Sequence, residues 1–107
     1  MAFTFTDANV REIIAQGGPV VIDFWATWCG PCMALAPVVE SLAAEFEGRA
    51  IIGKYNVDEE SEFGAENRIR SIPTILFYKN GAITPIRLVG SQSVETLRAK
   101  IEELIAL

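Results

Sequence analysis

Two cysteines, Cys29 and Cys32, stand two residues apart in the stretch Trp28-Cys29-Gly30-Pro31-Cys32, and they are the only two in the chain. The chain has no histidine. That absence removes Ser-His-Asp chemistry, Cys-His proteolysis and nearly every common zinc site, and leaves sulfur, carboxylate and amine. Two cysteines cannot complete a four-ligand metal site in one chain, so neither a metal nor a cofactor is expected. Two cysteines at this spacing in the first turn of a helix fall within the ~4.4 to 6.8 Å Cα separation that a disulfide needs, and can open and close with little backbone movement. Gly30 relieves crowding in the turn, and Pro31 presets a helical φ where its missing N–H costs least. Cys29 then sits at a helix N-terminus, where free N–H groups and the helix dipole favour thiolate by about 0.3 to 2 kcal/mol. Its pKa should fall moderately, which suits an attacking thiol, since nucleophilicity falls with pKa. Cys32 faces inward and acts second. The bland alternative for the pair is a static local disulfide or two inert thiols.

Asp23 interrupts the apolar run Val20-Val21-Ile22-Asp23-Phe24-Trp25-Ala26. A carboxylate inside such a strand should have a raised pKa, suited to a base acting near neutrality. A carboxylate satisfied by Lys54 or by backbone is the competing reading. Lys54 is the one charge in a second apolar run, Ala50 to Val57, and reads either as a strand-end charge or as a group that tunes Asp23. Trp25 fits core packing, whereas Trp28, next to Cys29, belongs with the site. The Glu59, Glu60 and Glu62 cluster reads as a solvated face.

Positioning these groups requires a particular order of elements. After a first short strand, Thr6 or Asp7 is a suitable N-cap for a helix through about Ala15, with Phe5 and Val10 as a hydrophobic staple if Thr6 caps. Gln16-Gly17-Gly18-Pro19 ends it, and the run to Ala26 is a buried strand. Leu35, Val39, Leu42 and Phe46 lie on one face of the next helix. Pro37 lies inside that helix, where a kink is expected, and Gly48 closes it. After the Ala50–Val57 strand come a short helix around Ser61 to Glu66 and a strand over Thr74 to Lys79. Asn80-Gly81 then signals a type I′ hairpin into a strand near Ile86 to Val89. Ser93 caps a last helix with the stripe Val94, Leu97, Ile101, Leu104. The expected fold class is α/β: a central mixed sheet of about five strands, parallel early and antiparallel late, flanked on both faces by about four helices.

The Trp28-Cys29-Gly30-Pro31-Cys32 string is accompanied by Asp23, Trp25, Pro37, Lys54, Asp58, Ile72-Pro73-Thr74, Asn80-Gly81 and Val89-Gly90. In order and approximate spacing this ensemble resembles the thioredoxin family, from about Phe5 to the C-terminus. The resemblance implies the thioredoxin fold and a protein-disulfide reductase: Cys29 attacks a client disulfide, Cys32 resolves the mixed disulfide, and a thioredoxin reductase returns electrons. It implies further that Asp23, buried near Lys54, accepts or relays the Cys32 proton through water. Ile72-Pro73 corresponds to the family's cis-proline loop, and with Trp28, Val89, Gly90 and Ser91 it would form the surface that meets client proteins. Met33 departs from the lysine or arginine common after the second cysteine, which removes a nearby cation. Pro85 puts the hairpin slightly outside the family pattern.

With 107 residues, half of them apolar and 21% charged, the chain is expected to form one domain over residues 1–107 that folds without a metal or disulfide scaffold. Nine Lys and Arg against 14 Asp and Glu give a net charge of −5, the wrong sign for gathering phosphates, so nucleic acid is not an expected partner. No apolar stretch approaches the ~20 residues of a membrane span. Met1 to Asp7 shows no basic segment leading an apolar one, so a cytoplasmic protein is expected, and the resemblance to the thioredoxin family implies a monomer. Two other functions remain open on these residues: a redox-inert adaptor using the same surface, and a more oxidising oxidase or isomerase.

Overall fold

The computed structural model describes all residues, 1–107. Its elements are β1 (Phe3–Phe5), α1 (Val10–Ala15), β2 (Val20–Trp25), α2 (Gly30–Glu45), β3 (Ile51–Asn56), α3 (Glu62–Glu66), β4 (Thr74–Lys79), β5 (Ala82–Val89) and α4 (Val94–Ala106). The sheet order is β1-β3-β2-β4-β5. β1 and β2 pair parallel with β3, while β4 pairs antiparallel with both β2 and β5. The apolar runs of β2 and β4 are accordingly interior strands, covered on both faces.

Side chains alternate across these strands with a period of two. Val21, Ile52, Ile75 and Phe77 pack against Leu35, Val39, Leu42 and Phe46 of the α2 region and Leu97, Ile101 and Leu104 of α4. On the other face, Ile22, Phe24, Tyr55, Leu76 and Tyr78 pack against Val10 and Ile14 of α1 and Phe63 of α3. Asp23 and Lys54 share the parity of Val21 and Ile52, so they belong to the α2 side. β1 can approach β3 closely because Gly53 opposes Phe3; a Cβ at Gly53 would run into the Phe3 carbonyl oxygen.

The start of α1 differs from expectation. The helix begins at Val10 after Asn9, and neither Thr6 nor Asp7 is its boundary residue. Thr6 and Asn9 instead close the preceding turn reciprocally: the Thr6 N–H donates to Asn9 Oδ1 at 2.9 Å and the Asn9 N–H to Thr6 Oγ1 at 3.2 Å. Asp7 serves a different helix. Its carboxylate accepts the N–H groups of Ser61, Glu62 and Phe63 at the start of α3, and the Tyr55 hydroxyl at 2.7 Å. Nor are the three glutamates all free in solvent: Glu60 Oε1 accepts the Asp7 N–H at 2.7 Å, and Glu62 lies 3.5 Å from the Arg11 guanidinium.

α2 runs unbroken through Pro37 to Glu45, with Phe46 as its C-cap before Gly48. Asn80 and Gly81, at φ +58° and +80°, make the expected I′ turn. β5 is longer than expected, starting at Ala82, because the ladder tolerates an irregularity opposite Phe77. Pro85 has no N–H to give there. Thr84 Oγ1 donates to the Phe77 carbonyl at 2.8 Å and accepts the Ile86 N–H, which keeps the buried backbone paired.

Candidate active site

β2 delivers the chain to the C-terminal edge of the sheet, and α2 begins there with the cysteines in its first turn. Cys29 is the N-cap residue, in extended conformation, and its sulfur accepts the Cys32 N–H at 3.2 Å. Pro31 occupies the first turn as expected, and Gly30 and Pro31 are exposed. The two cysteines are joined as a disulfide with Cα atoms 5.2 Å apart. Cys29 is the less buried of the pair, at 5% exposure against 1% for Cys32. In the reduced protein the Cys32 N–H and the α2 N-terminus would stabilise negative charge on Cys29. Cys29 Sγ also lies 3.8 Å from the Ile72 carbonyl oxygen.

Asp23 is 2% exposed, and neither carboxylate oxygen has a hydrogen-bond partner in the protein. It sits on the face of β2 covered by α2. Burial pushes its carboxyl up to about 7, against the opposing pull of the Lys54 ammonium. The two residues are register partners across β2 and β3, yet they form no ion pair. Lys54 reaches instead to Glu40 of α2 at 3.7 Å and lies 5.0 Å over the Trp25 ring. Glu40 is itself held by the Ala2 N–H at 2.9 Å. A carboxylate satisfied by Lys54 or by backbone is therefore not what the fold builds.

Around the disulfide lies a shallow surface. Trp28 is 70% exposed, and its indole N–H donates to Asp58 Oδ2 at 2.8 Å, which fixes the ring beside Cys29. Asp58 counted in the sequence only toward the family resemblance; it lies 30 residues from Trp28, and nothing local announces the bond. The Ile72–Pro73 peptide is cis. The Pro73 carbonyl accepts the Gly90 N–H at 2.8 Å, so the β5 end joins the same surface, with Val89 half-exposed and Ser91 exposed after it. Met33 is also half-exposed, on the α2 side. Between Trp28 and Ile72 is a hollow of about 270 Å³, lined also by Val57, Ile69, Arg70 and Ser71. Larger hollows lie elsewhere, one of about 350 Å³ at the opposite end of β2 and β3. Exchange at a surface disulfide needs access for another protein more than it needs an enclosed cavity.

A mixed five-stranded sheet that presents a Cys-Gly-Pro-Cys disulfide at a helix N-terminus, above a buried carboxylate, defines a thiol–disulfide exchange protein. The family model described as Thioredoxin matches residues 1–103. A thioredoxin from Chlorobaculum thiosulfatiphilum is 46% identical over 104 residues, covering 96% of this chain and 95% of that protein. A thioredoxin from Alicyclobacillus acidocaldarius is 41% identical over 103 residues, 95% and 96% of the two chains. The chloroplastic M-type thioredoxin of Spinacia oleracea is 40% identical over 101 residues, 94% of this chain and 55% of that one. The chain belongs to the thioredoxin family, and with its Cys29–Cys32 pair it is a disulfide reductase of the thioredoxin type acting on disulfide-containing client proteins. No helix is long and apolar enough to cross a membrane.

Proposed function

We propose that Cys29 is the nucleophile and Cys32 the resolving thiol of this reductase, with Asp23 as the proton acceptor and Lys54 as the charge that tunes it. The observation that carries the assignment is the placement of Cys29 as N-cap of α2 with its sulfur on the Cys32 N–H. The Cys29 thiolate attacks one sulfur of a client disulfide, and the other sulfur leaves as a thiolate that takes up a proton. Cys32 then gives its proton to the Asp23 carboxylate and attacks Cys29 Sγ. The Cys29–client bond breaks, the second client thiolate is released and protonated, and the Cys29–Cys32 disulfide forms. Two electrons have passed to the client. A carboxyl poised at about 7 can take that proton and return it near neutral pH.

Trp28, Ile72, Pro73, Val89, Gly90 and Ser91 meet the client, with Gly30 and Pro31 holding the loop in shape. The chain acts as a monomeric domain over residues 1–107 in the cytoplasm, and a thioredoxin reductase returns the electrons. An insulin-reduction assay tests the thiol roles. Cys29→Ser should abolish turnover, and Cys32→Ser should stall the reaction at a mixed disulfide. Unchanged turnover in the double variant would sink the assignment, and failure of the wild type itself to reduce insulin would favour a redox-inert adaptor.

A further inference from the structure

Six of the nine cationic side chains are engaged within the chain. Arg11, Arg49, Lys54, Arg98 and Lys100 form ion pairs with glutamates, and Lys79 donates to the carbonyl oxygens of Ile105 and Leu107. The remaining three, Arg68, Arg70 and Arg87, are exposed and make no ion pair or side-chain hydrogen bond, although the chain carries a net charge of −5. An acidic protein with unpaired arginines would be expected to scatter them, but these three are grouped.

Arg70 lines the hollow beside Trp28 and Ile72, and Arg68 lies two residues before it. Arg87 is the register partner of Leu76 on β5, two residues before Val89 and on the same face. Tyr78, two residues after Leu76 on β4, carries its hydroxyl on that same face. That hydroxyl donates to Asn67 Oδ1 at 2.9 Å, and Asn67 adjoins Arg68. The three arginines thus border the α3–β4 side of the client surface. Asp58, Glu59 and Glu60 supply the opposite sign on the β3–α3 side.

Arg68 is costly where it stands. It closes α3 in a Schellman motif: its N–H donates to the Ala65 carbonyl at 3.0 Å, and the Ile69 N–H donates to the Gly64 carbonyl at 3.1 Å. The position requires φ +55°, a left-handed conformation that glycine adopts freely and arginine does not. A side chain that strains its own helix cap, is exposed and touches no partner does nothing for the fold.

We propose that Arg68, Arg70 and Arg87 form a cationic rim that recognises an acidic segment flanking the disulfide of a client protein. This rests on the disulfide-reductase reading and adds the charge of the preferred client. The rim acts by steering and orienting the encounter, with the client's carboxylates turned to the α3–β4 loop and away from Asp58.

The test uses the pre-reduced protein and three disulfide-bridged peptides that differ only in flanking residues: glutamates, serines or lysines. At low ionic strength the acidic peptide should be reduced about fivefold faster than the basic one, as expected for one exposed ion pair, and high salt should erase the difference. Arg68→Gly combined with Arg87→Gln should remove most of that preference and leave the serine-flanked rate unchanged. Arg68→Gly alone should keep or raise the urea midpoint, which separates recognition from folding. Equal rates for the acidic and basic peptides, or a preference that survives in the double variant, would overturn the proposal. If the double variant slowed only re-reduction by a thioredoxin reductase, the rim would serve the electron donor and the client assignment would fall. Failure of the wild type to reduce even the serine-flanked peptide would overturn the reductase reading itself.

Discussion

Replacing Asp23 by asparagine exchanges an ionisable group for a neutral one of nearly the same shape at a site where neither oxygen has a partner. The folded carboxyl titrates at about 7 rather than the ordinary 3.8. Between those values the folded chain holds a proton that the unfolded chain has released. Wild-type stability must therefore fall as pH rises through this window, and level off above it. At ~1.36 kcal/mol per pH unit the loss accumulates to about 4 kcal/mol by mildly alkaline pH. The asparagine variant escapes it, since its amide carries the same unpaired polar burial at every pH. Other carboxylates titrate alike in both proteins and cancel in the comparison. Urea unfolding at a series of pH values measures the effect. With a slope of ~1–3 kcal/mol/M, the midpoint of Asp23→Asn should exceed that of the wild type by more than about 1 M above pH ~7, and the gap should close near pH ~4. A gap that stays constant with pH would show that Asp23 is not a strained, buried carboxylate. On the proposed role of Asp23 as acceptor of the Cys32 proton, the same variant should also slow client release.

Lys54→Met removes the cation that restrains Asp23, so the Asp23 midpoint, followed by carboxyl carbon NMR, should rise above about 7, and the pH profile of reduction should move the same way. An unchanged midpoint would show that the Lys54 charge does not reach Asp23. Asp7→Ala should cost about 1–3 kcal/mol by orphaning the N–H groups of Ser61, Glu62 and Phe63 and the Tyr55 hydroxyl. Burial works to raise the Asp7 carboxyl, but these donors prevail and hold it at about 2. The stability Asp7 confers is thus present above about pH 4 and is lost as pH falls toward 2. The urea midpoints of wild type and variant should converge over that range, and a gap that persisted in acid would count against the carboxylate as the source.

The site was legible wherever its chemistry is local. The Cys29–Cys32 spacing, Pro31 and the apolar stripe behind them place the pair at the start of α2 from sequence alone, and the strand around Asp23 announces its burial. Features that link distant segments were not legible. The Trp28–Asp58 bond, Glu40 as the partner of Lys54 and the Asp7 cap on α3 join residues separated by as much as 56 positions. A capping residue next to a helix reads naturally as that helix's own cap, which is why Asp7 pointed to α1. β5 runs from Ala82, through Pro85, where the sequence pointed only to a strand near Ile86 to Val89. Thr84 compensates by supplying a hydroxyl where the proline has no N–H.

The amino-acid sequence by itself determined the reactive pair, the order of strands and helices, the hairpin at Asn80-Gly81 and the presence of one carboxylate in an apolar strand. These depend on backbone dihedrals, side-chain period and short-range capping, all set within a few residues. Only the tertiary structure decided that β4 lies antiparallel beside β2, that Ile72–Pro73 is cis, that Lys54 pairs with Glu40 while Asp23 stays unpartnered, and that Arg68, Arg70 and Arg87 are left without ion pairs. Those outcomes turn on which charges and strands meet across the fold. The local preference between X–Pro isomers is only about 0.5–1 kcal/mol, and exposed ion pairs contribute about 0–1 kcal/mol, so it is the packing of distant elements that selects among them.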